Sequence, residues 1–194
     1  CNFISQTHNV ITQEDGSLIV NSCNFVNNTG PDSGSVLYVQ PYGTVYIYNS
    51  TFNNNRCTGH GCSGAAIYSG SNGTAALYVY NSTFLTNSAQ TQGGAIMAGI
   101  MQDLALDHVM FINNSAQSKG NIIYLANSIS RISNCSFVSN IKNKNSDIYL
   151  DGATDTGKQY TIETYQSHFQ KNNHNLFTNQ TDFLREAQKL NIIK

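Results

Sequence analysis

Hydrophobic residues along this chain come in short bursts separated by Asn, Ser, Gly and Thr, and the bursts recur. One kind centres on a phenylalanine followed three positions later by an asparagine: Phe25/Asn28, Phe52/Asn55, Phe84/Asn87, Phe111/Asn114, Phe137/Asn140 and Phe169/Asn172, with Phe3/Gln6 as a degenerate first copy. Successive phenylalanines lie about 22 to 32 residues apart, a period typical of solenoid coils. A second burst follows each FxxN after a polar stretch: GSVLY from Gly34, GAAIY from Gly64, GGAIM from Gly93, GNIIY from Gly120 and SDIYL from Ser146. A third precedes the next phenylalanine, as in GTVYIYNSTF and AALYVYNSTF. Each unit therefore predicts two or three short strands separated by Asn/Ser/Gly corners, which is one turn of an all-β parallel β-helix.

The alternation within a unit predicts which side chains face inward. Two positions before the phenylalanines stand Cys1, Cys23, Ser50, Ser82, Val109, Cys135 and Ser167, mostly small, as expected on the Phe face of a strand. Three positions before stand Asn49, Asn81, His108, Asn134 and Gln166, all polar, matching an outward face. Each phenylalanine should stack on its counterpart one strand spacing away, about 4.8 Å, forming an aromatic column. The asparagine column is expected to take the left-handed backbone of a corner and to hydrogen-bond along the axis through stacked amides. Glycines before the aliphatic pairs permit tight corners. About seven coils at about 4.8 Å each make a rod near ~35 Å. Repeats are expected over residues 1–178. In 179–194, Thr181 or Asp182 can cap a short helix with Phe183, Ala187 and Leu190 on one side, serving as a cap on the last coil or a lead into a further domain. Because the chain opens at Cys1, inside the pattern, it is expected to be a piece of a longer protein.

The paired FxxN and GGAI signatures resemble the repeats of polymorphic outer membrane proteins, the surface passenger domains of chlamydial autotransporters, and similar repeats in large surface proteins of protists. FxxN is matched in six copies and GGAI in full at Gly93 to Ile96, with looser versions elsewhere. The resemblance covers roughly residues 1 to 172 and implies a right-handed parallel β-helix displayed at a cell surface, as an adhesin or structural coat component. It carries no catalytic residues to transfer and no cofactor.

Charge narrows the partners. Charged residues are only 11% of the chain, ten basic against eleven acidic, so no electrostatic handle on nucleic acid or an anionic membrane surface exists. No run approaches the roughly 18 apolar residues that span a bilayer as a helix. Expected partners are therefore proteins or glycans at a cell surface, together with end-to-end self-association of the rod.

Five cysteines without evident zinc spacing imply an oxidising, extracellular compartment. Cys57 and Cys62 bracket TGHG and are expected to form a small disulfide loop, the alternative being a metal site with His60 for which no fourth ligand is evident. Cys1 and Cys23 hold the same position in adjacent coils, where the spacing permits a disulfide across the stack; unpaired small core residues are the alternative. Cys135 is expected to be a buried thiol. Glycosylation sequons occur at Asn27, Asn49, Asn72, Asn81, Asn113, Asn134 and Asn179. Asn49, Asn81 and Asn134 occupy the outward position, where a glycan leaves the core undisturbed. Asn49 and Asn81 should sit one strand spacing apart, too close for full occupancy of both, and glycopeptide analysis of native material checks this.

Many parallel β-helices act on polysaccharides, so a pectin lyase-like enzyme is the competing class. GHG at Gly59 to Gly61 and RIS from Arg131 echo short motifs of polygalacturonase-like enzymes, but the Asn-Thr-Asp and Asp-Asp carboxylate pairs that hydrolysis would need are missing. His8, His108, His168 and His174 have no neighbouring nucleophile in a credible arrangement. Tyr38, Tyr46, Tyr48, Tyr68, Tyr78, Tyr80 and Tyr124 read as strand residues packed half-buried, the alternative being an exposed strip that grips sugars and makes the chain a glycan-binding module. The leading expectation is a non-enzymatic, extracellular structural or adhesive surface module.

Overall fold

The computed structural model describes residues 1–70, 74–99, 103–126, 130–138 and 146–151, and by backbone alone the strands Ile162–Tyr165, His168–Gln170 and Phe177–Thr178. All regular structure in these residues is β, and every strand pairing is parallel. The expected helix within 179–194 lies outside the described residues, as do Asn72, Asn140, Asn172 and Asn179.

The chain winds as a parallel β-helix with four walls. A phenylalanine wall joins Asn2–Ile4, Asn24–Val26, Thr51–Asn53, Thr83–Leu85, Met110–Ile112, Ser136–Val138 and His168–Gln170. An aliphatic wall begins with Ile11–Gln13 and runs through Leu37–Val39, Ile67–Ser69, Ile96–Ala98, Ile123–Ala126 and Ile148–Asp151 to Phe177–Thr178. A tyrosine wall holds the longer strands Gly16–Asn21, Gly43–Tyr48, Ala76–Tyr80, Asp103–Asp107 and Ser130–Ser133, and ends with Ile162–Tyr165. The fourth, short wall is built from Thr29–Gly30, Arg56–Cys57, Ser88–Ala89 and Ser115–Ala116. Two walls have seven strands, but complete turns number about five, fewer than the seven coils expected.

Register places like on like. Phe3, Phe25, Phe52, Phe84, Phe111 and Phe137 pair in sequence across the phenylalanine wall, and their rings stack 4.6–5.0 Å apart. The aliphatic wall stacks Leu37, Ile67, Ile96, Ile123 and Ile148 in the same way. These residues, with Val45, Ile47, Leu77, Val79, Leu104, Leu106 and Ile132 from the tyrosine wall, form one continuous core. Burying large side chains along a column one strand spacing deep stabilises each by roughly 1.5–3 kcal/mol, so the rod is held by its repetition.

Three details differ from the expectation. The stretch GTVYIYNSTF is two strands, not one: the tyrosine wall ends at Tyr48, the chain bends at Asn49 and Ser50, and the phenylalanine wall starts at Thr51. The bend is left-handed in every described coil, with φ of 52° at Ser22, 50° at Asn49, 48° at Asn81, 52° at His108 and 51° at Asn134. The second left-handed corner falls one residue before the FxxN asparagine, at Asn27, Asn54, Thr86 and Asn113, not on it. Because that residue turns the chain, its own side chain stays outside and the next amide is aimed inward. The third difference is the short wall, whose strands of two residues lie in what reads as a polar loop.

At the corner before the aliphatic wall, Gly34, Gly64, Gly93 and Gly120 have φ of 61–65°. A Cβ at Gly93 would collide with the carbonyl oxygen of Ile96, so both the conformation and the space require glycine there. This is why the GGAI signature opens with glycine.

Candidate functional site

Among the described residues, the interior offers no reactive group to solvent. Asn28, Asn55, Asn87 and Asn114 are wholly buried, and each amide is closed by its neighbours. Asn55 Nδ2 donates to Phe25 O at 3.1 Å and to Asn87 Oδ1 at 3.0 Å, while Asn55 Oδ1 accepts from the backbone N–H and Nδ2 of Asn28 at 3.1 and 2.9 Å. Asn87 repeats the pattern with Phe52 O and Asn114 Oδ1. The small column beside it is also paired: Ser50 and Ser82 donate to Tyr48 O and Tyr80 O, and accept from the N–H groups of Cys23 and Ser50. Polar groups here are structural, since a buried amide left unpaired would cost about 1–3 kcal/mol per group.

Side chains available to a partner therefore stand on the outer faces. On the tyrosine wall, register aligns Ile19, Tyr46, Tyr78, Ala105 and Arg131 in one outward column and Asn21, Tyr48, Tyr80, Asp107 and Ser133 in the next. Tyr46 and Tyr78 stack at 5.0 Å, Tyr48 and Tyr80 at 5.2 Å, and all four are half-buried. Ile19, at 68% exposure, extends the patch. The other strand tyrosines belong elsewhere: Tyr38 stacks on Tyr68, and Tyr124 on Tyr149, both pairs on the aliphatic wall. The alternative of one exposed strip does not hold, because the winding splits these tyrosines between two walls.

Acids border the tyrosine patch. Asp103 Oδ2 accepts from Tyr78 Oη at 3.2 Å and from Arg131 Nη2 at 2.5 Å. Asp107 Oδ1 accepts from Ser133 Oγ at 2.7 Å and Asn134 Nδ2 at 2.8 Å, and its Oδ2 lies 3.0 Å from His108 Nδ1. Partial burial alone would raise the Asp107 pKa, but hydrogen bonds from Asn134, Ser133 and His108 outweigh it and hold the carboxyl below its ordinary value. Burial, then the Asp103 charge, pushes Tyr78 up; burial, then Tyr48, does the same for Tyr80. These hydroxyls stay protonated and able to donate. Asp103 is thus tied to Arg131 through Oδ2 while its Oδ1 is buried without a hydrogen-bond partner, and Asp107 is engaged at both oxygens.

The remaining predicted residues fall as follows. Cys57 and Cys62 are disulfide-bonded, with Cα atoms 5.9 Å apart, and His60 is exposed in the loop between them. With both sulfurs in that bond, neither thiolate ligates a metal. Cys1 and Cys23, although adjacent in register, are both free thiols, and Cys23 Sγ donates to Asn21 O at 3.3 Å on its own chain segment. The Cys135 thiol is buried and directed at Ser133 O, 3.1 Å away, and burial pushes it up to about 12. Of the sequon asparagines, Asn27, Asn49 and Asn81 are exposed at left-handed corners, Asn113 is half-exposed at another, and Asn134 is half-buried against Asp107. Asn49 and Asn81 directly follow the paired Tyr48 and Tyr80, so a glycan on either would overhang the tyrosine patch.

Residues 81–99, from the left-handed corner at Asn81 through Phe84, Asn87 and the Gly93 corner, match the family model of the Chlamydia polymorphic membrane protein repeat. No curated protein and no solved structure matches the chain.

Proposed function

We propose that this chain, a β-helix of polymorphic outer membrane protein repeats, is a displayed rod of a cell-surface protein that adheres through its side walls. The repeat match supports surface exposure, and the repeat's family is one of non-enzymatic surface proteins. One observation carries the adhesive role: the four stacked tyrosines with Ile19, Asp103 and Arg131 form an outward aromatic patch with a polar border. Tyrosine is enriched at recognition surfaces because it combines apolar area with a hydroxyl at little cost in side-chain entropy.

Adhesion of beads coated with the purified chain to cultured cells tests this reading. Replacing Tyr46 and Tyr78 together by Ser should reduce adhesion at least about tenfold if they form a hot spot, with circular dichroism unchanged. Equal adhesion by the variant and the parent chain would remove the tyrosine patch from the account. No adhesion by the parent chain would remove the adhesive role.

A further inference from the structure

The outer face of the short wall holds a groove of about 380 Å³, and its polar lining consists of Arg56, Thr58, Ser88, Gln90, Ser115 and Gln117. That volume lies within the range of about 300–1,000 Å³ in which small ligands are held. Register stacks Arg56, Ser88 and Ser115. Two residues further along each strand come Thr58, Gln90 and Gln117. The groove is thus floored by three successive coils about 4.8 Å apart, two of them presenting a hydroxyl and a carboxamide and the first presenting Arg56 and the Thr58 hydroxyl.

Three properties define what fits. First, the side chains of Ser88, Gln90, Ser115 and Gln117 make no hydrogen bond with any described residue, whereas the amides of the interior asparagines are closed on every side. Their donors and acceptors are open to a ligand. Secondly, the lining carries no large apolar side chain, so it has nothing to hold the apolar groups of a peptide. It matches a ligand whose own surface is hydroxyls, repeated at about the length of one sugar ring. Thirdly, Arg56 is the lining's one formal charge; it is exposed and has no carboxylate partner among the described residues. Its Nε donates to Asn54 Oδ1 at 3.2 Å, which orients the guanidinium and leaves both terminal amino groups for a bidentate oxyanion.

We propose that this groove binds a carboxylate-bearing oligosaccharide, with the carboxylate on Arg56 and ring hydroxyls on the Ser88/Ser115 and Gln90/Gln117 columns. Such a ligand lies on a cell or matrix surface, so the proposal rests on the surface reading above and adds a second contact, separate from the tyrosine patch.

Titrating the whole chain with trigalacturonate and with its methyl ester, followed by ligand-observed NMR, is the test, because the pair shares its ring hydroxyls and differs at the carboxyl groups, which the ester leaves uncharged. The acid should bind with a millimolar or tighter Kd and the ester about tenfold more weakly, the loss of one charge-assisted contact. Arg56→Gln should abolish that discrimination, Gln90→Ala with Gln117→Ala should weaken both ligands, and Glu14→Gln, at an exposed position outside both the groove and the tyrosine patch, should change neither. All of these positions are at the surface, and circular dichroism confirms the fold of each variant. Equal binding of acid and ester, absence of binding, or equally tight binding of an acidic tripeptide would each overturn the proposal. Cell adhesion lost while trigalacturonate still binds would remove the adhesive role and leave the site; adhesion kept without saccharide binding would remove the site alone.

Discussion

Two columns of carboxamides run along this rod, and they face opposite fates. Asn28, Asn55, Asn87 and Asn114 stand inside the corner after the phenylalanine wall, each donating to a backbone carbonyl and bonded to a neighbouring amide of the column. Gln90 and Gln117 stand outside the adjoining short wall, one coil apart and bonded to no described residue. The same functional group at the same spacing is structure in one place and open surface in the other. What decides is whether backbone carbonyls lie within reach: the inner amide meets them and water does not, while the outer amide meets only solvent or a ligand.

The sharpest way to break the contrast is to truncate one member of each column and measure urea unfolding. Asn87→Ala strands the Asn55 N–H, one Asn55 Nδ2 hydrogen and the Phe52 carbonyl in the interior, so it should cost on the order of 5 kcal/mol. Gln90→Ala should stay within about 0.5 kcal/mol. If the two variants unfold at the same urea concentration, the interior ladder is not what holds the corner. Next in size is Phe84→Ala in the middle of the aromatic column, with an expected loss of about 4 kcal/mol. Phe3→Ala, on a half-exposed ring with one described stacking partner, should lose about 1 kcal/mol.

These columns were legible in the sequence because repetition multiplies a weak local signal. One FxxN is uninformative, but six copies at solenoid spacing, with small residues two positions before each phenylalanine, require a stack. The Cys57–Cys62 closure was legible because only four residues, TGHG, separate the two cysteines. The short wall was not, since two residues cannot display an alternation of period two. Its groove was hidden for the same reason: SAQTQ at Ser88 to Gln92 reads as a polar loop until winding sets it beside SAQSK at Ser115 to Lys119. The tyrosines were seen as strand residues, but which of them share a wall depends on where the left-handed bends fall. Asn tolerates that conformation at several candidate positions, so composition could not choose between the FxxN asparagine and the residue before it.

Reducing the Cys57–Cys62 bond sharpens the contrast at the short wall. The disulfide closes a very short loop next to Thr58, so replacing both cysteines by Ser should cost about 2 kcal/mol in the chain-entropy account. The aromatic column lies in a separate core cluster from Cys57 and Cys62. Near-ultraviolet dichroism should therefore hold at temperatures where the groove residues have already become mobile by NMR relaxation. Loss of both signals together would show that the two regions unfold as one unit.

The smallest effect concerns Cys135, whose thiol is buried in the small column while Cys1 is exposed. Folded, its pKa stands near about 12; unfolded, a thiol titrates at about 8.5. Below the unfolded value both states keep the proton and the group contributes no pH dependence. Between the two values the unfolded chain releases the proton and the folded chain holds it, so stability falls as pH rises through this window. Cys135→Ala should flatten part of that alkaline decline, alongside the tyrosines that titrate near it, and should leave the profile below pH ~8 unchanged in shape. Iodoacetamide at mildly alkaline pH should alkylate Cys1 and spare Cys135 until urea opens the coil, as peptide mapping by mass spectrometry can show. Alkylation of both at equal rates in the folded protein would mean that the interior column admits solvent, and the division between a sealed inside and a responsive outside would fail at its core.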